Sequence, residues 1–137
     1  MTYPVLRQVV LDTTDARGLA EFYRQLLGYH YRPGDEPPAE GDDPAGRDWL
    51  VLRAPDDRPA LAFQQVAELT PPSWPAAGVD QQLHLDLTVG SAAELQRQRE
   101  RAVALGAQVA HDRFDDPDEP LYVFRDPSGH PFCIFVA

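Results

Sequence analysis

Leu50-Val51-Leu52-Arg53-Ala54-Pro55-Asp56-Asp57-Arg58-Pro59 can be laid without a gap on Tyr122-Val123-Phe124-Arg125-Asp126-Pro127-Ser128-Gly129-His130-Pro131. The arginine and both prolines coincide, and so does the apolar pattern ahead of the turn. Carried forward, the register sets Leu61 opposite Cys133 and Phe63 opposite Phe135. Upstream, Leu27-Gly28 and Leu105-Gly106 close two helical patterns in the same way. The match includes turn chemistry as well as hydrophobicity, which points to a tandem duplication.

The flanking segments repeat the same order of elements. Val5–Leu11 is β-prone. Asp12 to Asp15 are capping residues, and Leu19, Phe22, Tyr23, Leu26 and Leu27 then recur at helical spacing. Tyr29–Arg32 reads as a short strand and Pro33–Gly46 as a loop. Asp48–Arg53 and Ala60–Val66 are strands around the first turn. In the second half Leu83–Val89 is a strand, and Ser91 with Glu94 forms a capping box. A helix then runs to about Leu105. Ala107–His111, Leu121–Arg125 and Pro131–Val136 are the last three strands. The chain of 137 residues is therefore expected to be one domain, 1–137. Module one covers about 1–68, module two about 80–137, and residues 69–79 form a proline-rich linker. The predicted class is α+β, with two βαβββ modules forming a curved, incompletely closed mixed sheet and helices on its outer face.

Composition narrows the partners. Apolar residues make up 43% and charged residues 25%, a globular balance. The net charge is −10, and all twelve basic residues are dispersed arginines. Nucleic-acid binding needs clustered positive charge, so it is not expected. The acidic balance favours a neutral or cationic ligand. No apolar run approaches a membrane span, and the first residues lack the pattern of a secretory leader. Cys133 is the single cysteine and has no internal partner. A cytoplasmic protein is the expectation.

Side chains alternate across a strand, so Leu83, Leu85, Leu87 and Val89 share one face, and His84, Asp86 and Thr88 the other. In a duplicated curved sheet the polar face lines a cleft. The last strand places Cys133 and Phe135 beside His84, with Phe132, Ile134 and Val136 toward the helices. By the internal repeat Leu61, Phe63 and Gln65 join the cleft. The first strand adds Gln8, with Val10 and Asp12 further along. Such a mixed lining suits a small organic molecule. His84 and Asp86, two apart on one face, form an acid–base pair. Cys133 reads as a small core residue, or as a nucleophile if an imidazole lowers its pKa. His111 and His130 fall in or beside loops. Arg53 and Arg125 brace the turns. Trp49, Trp74 and Tyr122 are packing residues that could also stack on a planar ligand.

The run from Leu11-Asp12 through Phe22-Tyr23 to Leu26-Leu27-Gly28-Tyr29 resembles the vicinal oxygen chelate superfamily. So do His84-Leu85-Asp86, Leu105-Gly106-Ala107 and Asp126-Pro127-Ser128-Gly129-His130-Pro131-Phe132-Cys133. That superfamily includes glyoxalase I, extradiol dioxygenases, and fosfomycin- and bleomycin-resistance proteins. The resemblance implies a homodimer and, in metal-dependent relatives, a divalent ion held from the first, fourth, fifth and eighth strands. The usual ligands there are His, Glu, His and Glu. Matched strand by strand, those positions are Gln8, Leu61, His84 and Cys133, or Ala62 if the fourth strand is read one residue later. Only His84 is of the expected type. The expectation is therefore a metal-free site without a cofactor, holding a small organic ligand. The alternative is a lyase, isomerase or dioxygenase-like enzyme using His84, either with Asp86 or with a residual divalent metal at His84.

Overall fold

A computed structural model describes residues 2–137, which form two compact units that divide between residues 69 and 70. Each unit is a βαβββ module, and among the described residues neither sheet closes into a barrel.

In the first module β1 (Val9–Thr13) leads into α1 (Ala16–Leu27), followed by β2 (His30–Tyr31), β3 (Trp49–Arg53) and β4 (Pro59–Gln65). Asp15 caps α1 by accepting from the Gly18 amide, and Gly28 ends it in the left-handed conformation. The sheet order is β1-β4-β3-β2, with β1 parallel to β4 and the other pairs antiparallel. β1 begins at Val9, later than the β-prone run at Val5, because pairing with β4 begins at Val9 opposite Leu61. The apolar stripe of α1 puts Tyr23 against Phe63, rings stacked at 6.0 Å, over the fully buried Leu50 and Leu52.

The loop after β2 is held down by Arg17. Its guanidinium pairs with both oxygens of Asp43, donates to the Asp35 carbonyl and lies over the Tyr31 ring. Asp35 is itself buried and accepts from the Val51 amide and Arg32. Buried polar groups persist when they are paired in this way.

The second module repeats the plan with β5 (Leu85–Val89), α2 (Ala92–Leu105), β6 (Gln108–Arg113), β7 (Leu121–Arg125) and β8 (Pro131–Val136). Its sheet order, β5-β8-β7-β6, matches that of the first. Ser91 caps α2, its hydroxyl oxygen accepting from the Glu94 amide, while the Glu94 carboxylate meets Gln98 and Arg97. The turns also match. Ala54 donates to the Arg58 carbonyl and Asp126 to the His130 carbonyl. Asp57 and Gly129 occupy the same left-handed position, at φ 68° and 91°.

One residue breaks the symmetry. In the second module Arg125 pairs with Pro131 and Phe124 with Phe132. In the first, Arg53 pairs with Pro59 but Leu52 pairs with Leu61, leaving Ala60 as a bulge. A one-residue slip exchanges the faces of everything beyond it. Leu61, Phe63 and Gln65 therefore face α1 and not the opposite side, which corrects the sequence expectation for all three. Gln65 shows it directly: its side chain accepts from the Ala16 amide and donates to the Thr14 carbonyl. Ala62 and Gln64 take the other face, beside Val10 and Asp12.

Residues 70–79 fold onto the second module. Arg125 donates to the carbonyls of Pro72 and Ser73 at 2.6 and 2.9 Å. Ser73 Oγ lies 3.0 Å from the Ala77 carbonyl oxygen, to which it donates, and accepts from the Val79 amide. Arg125 thus braces this strap, whereas its counterpart Arg53 lies 3.5 Å from Asp57 in its own turn.

Candidate functional site

The open face of the second sheet carries the chemistry. β5 begins at Leu85, two residues later than expected, and Leu83, expected on the buried face, is exposed ahead of it; within the strand Asp86 and Thr88 are exposed and Leu85, Leu87 and Val89 half-buried. Parallel pairing sets Asp86 beside Cys133, antiparallel pairing sets Cys133 beside Val123, and Val123 lies opposite His111. These four residues form one row across the sheet. Strands are about 4.8 Å apart, so His111 stands roughly 10 Å from Cys133. The next row is Arg113, Leu121, Phe135 and Thr88.

The result is a hollow of about 500 Å³. Its floor is Leu121, Val123, Cys133 and Phe135; His84 and Asp86 form one side and His111, Arg113 and Glu119 the other. Every lining residue belongs to the second module. Trp74 roofs it from the strap, its ring stacked on His84 at 4.6 Å and 13° and packed on Leu121, Val123 and Cys133. His84 is held from both ends. Nδ1 lies 3.0 Å from the Gln81 amide oxygen. Nε2 is 3.3 Å from the Asp86 carboxylate.

Cys133 is 6% exposed. Burial, then the negative charges of Asp86 and Glu119, push its thiol up to about 11. The protonated form is favoured, so this contribution to stability is full below the ordinary thiol value of 9.0 and is lost as pH rises toward 11. In metal-free protein at pH 8, alkylation of Cys133 by iodoacetamide is expected to run about 10²-fold slower than that of a free thiol. Mass spectrometry of timed samples reads the rate, and a rate near the free thiol's would contradict the assignment. A nucleophilic role has no support in this environment.

Among the residues the sequence singled out, His84, Asp86, Cys133 and Phe135 come together here. Gln8 lies in the first module just ahead of β1, with its Oε1 buried and without a hydrogen-bond partner. Leu61 and Phe63 are core residues under α1. His111, expected near a loop, is in β6, where a bulge between Val109 and His111 turns it to the same face as Arg113. Arg113 and Glu119 were not identified from the sequence, His111 was placed in or beside a loop, and Trp74 was read as a packing residue that could also stack on a planar ligand. The alternation of β6 would have found the first His–Arg pair only with the bulge already known. Tyr122 is a buried packing residue whose hydroxyl donates to Gln96.

Gly129 couples the turn to the strap. A Cβ there would lie 2.5 Å from Pro71 Cβ, and the positive φ disfavours any side chain. Gly129→Ala is expected to cost about 1–3 kcal/mol and to loosen the strap. Urea unfolding reads the first effect and Trp74 emission the second; an unaltered emission spectrum would detach the turn from the roof.

A divalent ion can be weighed against these side chains. Counting back seven residues from the helix caps Asp15 and Ser91 makes Gln8 the counterpart of His84. The strand registers then make Val10 and Ala62 the counterparts of Asp86 and Cys133. Two of those three first-module side chains are hydrocarbon, and they do not fit an ion. His84, Asp86 and Cys133 do: one ligand atom from each lies within 4.8 Å of the others. The thiol makes the set suited to zinc-like ions and unsuited to magnesium, which takes oxygen ligands.

Comparison with known proteins agrees with the fold. The model of the glyoxalase-like domain family matches residues 8–135. No curated protein sequence gives a match. A glyoxalase/dioxygenase from Nostoc punctiforme is 22% identical, with TM-score 0.65 over 99% of this chain and 98% of that one. A glyoxalase/bleomycin resistance protein/dioxygenase family enzyme from Burkholderia phytofirmans PsJN is 15% identical, with TM-score 0.66 over 95% and 96%. The fosfomycin resistance protein FosX from Listeria monocytogenes, solved with Mn(II) and sulfate ion, is 14% identical, with TM-score 0.65 over 99% and 94%.

Proposed function

Because the chain belongs to the glyoxalase-like domain family, we propose that it binds a small organic molecule in the second-module hollow. One observation carries the reading. A cavity of drug-like size has a hydrocarbon floor, polar groups on two sides and an indole above, all on one sheet face. The charges refine it. Asp86 and Glu119 face the hollow, and the positive charge of Arg113 is paired with Asp116 at 2.6 Å. A neutral or cationic ligand suits that balance. Structural neighbours include fosfomycin resistance proteins, which supports a natural product or antibiotic as the ligand class. No helix is long and apolar enough to cross a membrane among the described residues. A cytoplasmic homodimer completes this reading, and native mass spectrometry reports subunit number and bound mass together.

The test uses the two tryptophans. Trp49→Phe leaves Trp74 as the single indole. A thermal-shift screen of small organic compounds should return stabilisers that also quench Trp74 saturably. Stabilisers that leave Trp74 unchanged would place binding elsewhere.

A second reading rests on the His84–Asp86 pair. With a carboxylate beside the imidazole, His84 can shuttle a proton on a bound substrate, as a lyase or isomerase requires. A lactoylglutathione lyase from Agrobacterium tumefaciens is among the structural neighbours. His84→Ala separates the two readings. For a binding protein it should change affinity by less than about tenfold. For an enzyme it should remove 10²–10⁴ of the rate at similar affinity.

A further inference from the structure

We infer that the second module alone holds one thiophilic divalent ion, with His84 Nε2, the Asp86 carboxylate and Cys133 Sγ as its protein ligands. This departs from the four-strand, oxygen-rich ligation that the family resemblance implies. It rests on the reading of the hollow as the working site only for its purpose, since the ion binds without any organic ligand.

Three observations converge. The first is proximity. The three ligand atoms lie within 4.8 Å of one another, and tetrahedral bonds of roughly 2.0–2.3 Å require separations of about 3.5 Å. Small side-chain rotations close that gap, because His84 and Asp86 are both partly exposed. The second is orientation. The contact of Nδ1 with the Gln81 amide oxygen at 3.0 Å holds the His84 ring with Nε2 turned toward Asp86 at 3.3 Å. A histidine whose other nitrogen is fixed by a hydrogen bond is the usual support of a metal ligand. The third is charge. Asp86 and Glu119 bring two carboxylates to the hollow that also holds the His84 imidazole and the Cys133 sulfur. A cation offsets that negative charge.

The donor set fixes the class of ion. One thiolate, one imidazole and one carboxylate suit zinc and its analogues cobalt(II) and cadmium, and an open fourth position is what a reactive zinc site keeps. On binding, the Cys133 S–H ionises, its proton passes to solvent, and the sulfur electron pair bonds the ion.

Cobalt(II) is the probe. Untagged protein is stripped with chelator and titrated with cobalt chloride, with no organic ligand present. One equivalent should produce a thiolate-to-cobalt charge-transfer absorption, bleached by an equivalent of zinc and unaffected by a hundredfold excess of magnesium. Asp86→Asn, an exposed position that leaves the fold alone, should weaken cobalt binding at least tenfold, and Gln81→Ala should weaken it by less. Cys133→Ser should abolish the charge-transfer band while far-UV circular dichroism stays unchanged. Absence of the band in wild-type protein overturns the proposal, as does its persistence in Cys133→Ser or competition by magnesium. A proton bridging His84 and Asp86 in place of the ion gives that first result. Quenching of Trp74 by an organic compound in ion-free protein leaves the binding reading standing whatever cobalt does. Trp74→Ala should lose that compound and keep the cobalt band.

Discussion

Phe124→Ala is expected to lower the unfolding free energy by about 3–5 kcal/mol. Phe124 sits in β7, between β6 and β8, fully buried on the helix side of the sheet. Its ring stacks on Phe132 at 4.9 Å and 12° and meets Tyr122 at 5.9 Å. Tyr122 in turn reaches α2 through Gln96. Truncation leaves a cavity that three ordered elements line. Strands fixed by hydrogen bonds on both sides cannot collapse into it, so the transfer and cavity costs add. Domains of this kind are stable by only about 5–15 kcal/mol, so the loss is a large share. Urea titration followed by far-UV circular dichroism measures it, with Phe124→Leu expected to lose far less. A loss under about 1 kcal/mol for Phe124→Ala would mean that this layer is not the core of the module. Val123 and Leu121 point to the opposite face, so binding at low temperature should survive in the folded fraction.

Trp74→Ala should weaken binding of any compound found by the quenching screen at least thirtyfold, about 2 kcal/mol, with a much smaller change in stability. The indole is the roof of the hollow. Without it the ligand loses a stacking partner, and His84 loses the ring at 4.6 Å that restricts its rotation. Cys133 loses part of its cover as well, so its alkylation should accelerate in the same variant. Isothermal titration calorimetry of the screened compound decides the point. Affinity within a factor of three of wild type would show that the ligand does not use this hollow.

The two modules show how far local signals reach. Asp15 and Ser91 cap their helices, and Gly28 and Gly106 end them, because each acts on backbone groups within a few residues. Within Leu85–Val89 the face of β5 was equally legible: alternation alone separates Asp86 and Thr88 from Leu85 and Leu87. Leu61 and Phe63 were assigned to the wrong face for a different reason. The gapless alignment is correct as sequence, yet Ala60 is absorbed as a bulge, and nothing within the strand announces it. His111 was hidden by a second bulge. Trp74 sits in a proline-rich stretch that reads as a spacer. Its placement depends on Arg125, about fifty residues away, donating to Pro72 and Ser73.

By itself, then, the sequence determined the duplication, the order of elements, the caps and the polar face of the fifth strand, because periodicity and capping act over a few neighbouring residues. Tertiary structure decided which side chains share the hollow. Strand register and strap docking are settled by partners distant in the chain. A single extra residue in one strand turned Leu61 and Phe63 inward under α1, while the regular pairing of β8 left Cys133 beside Asp86.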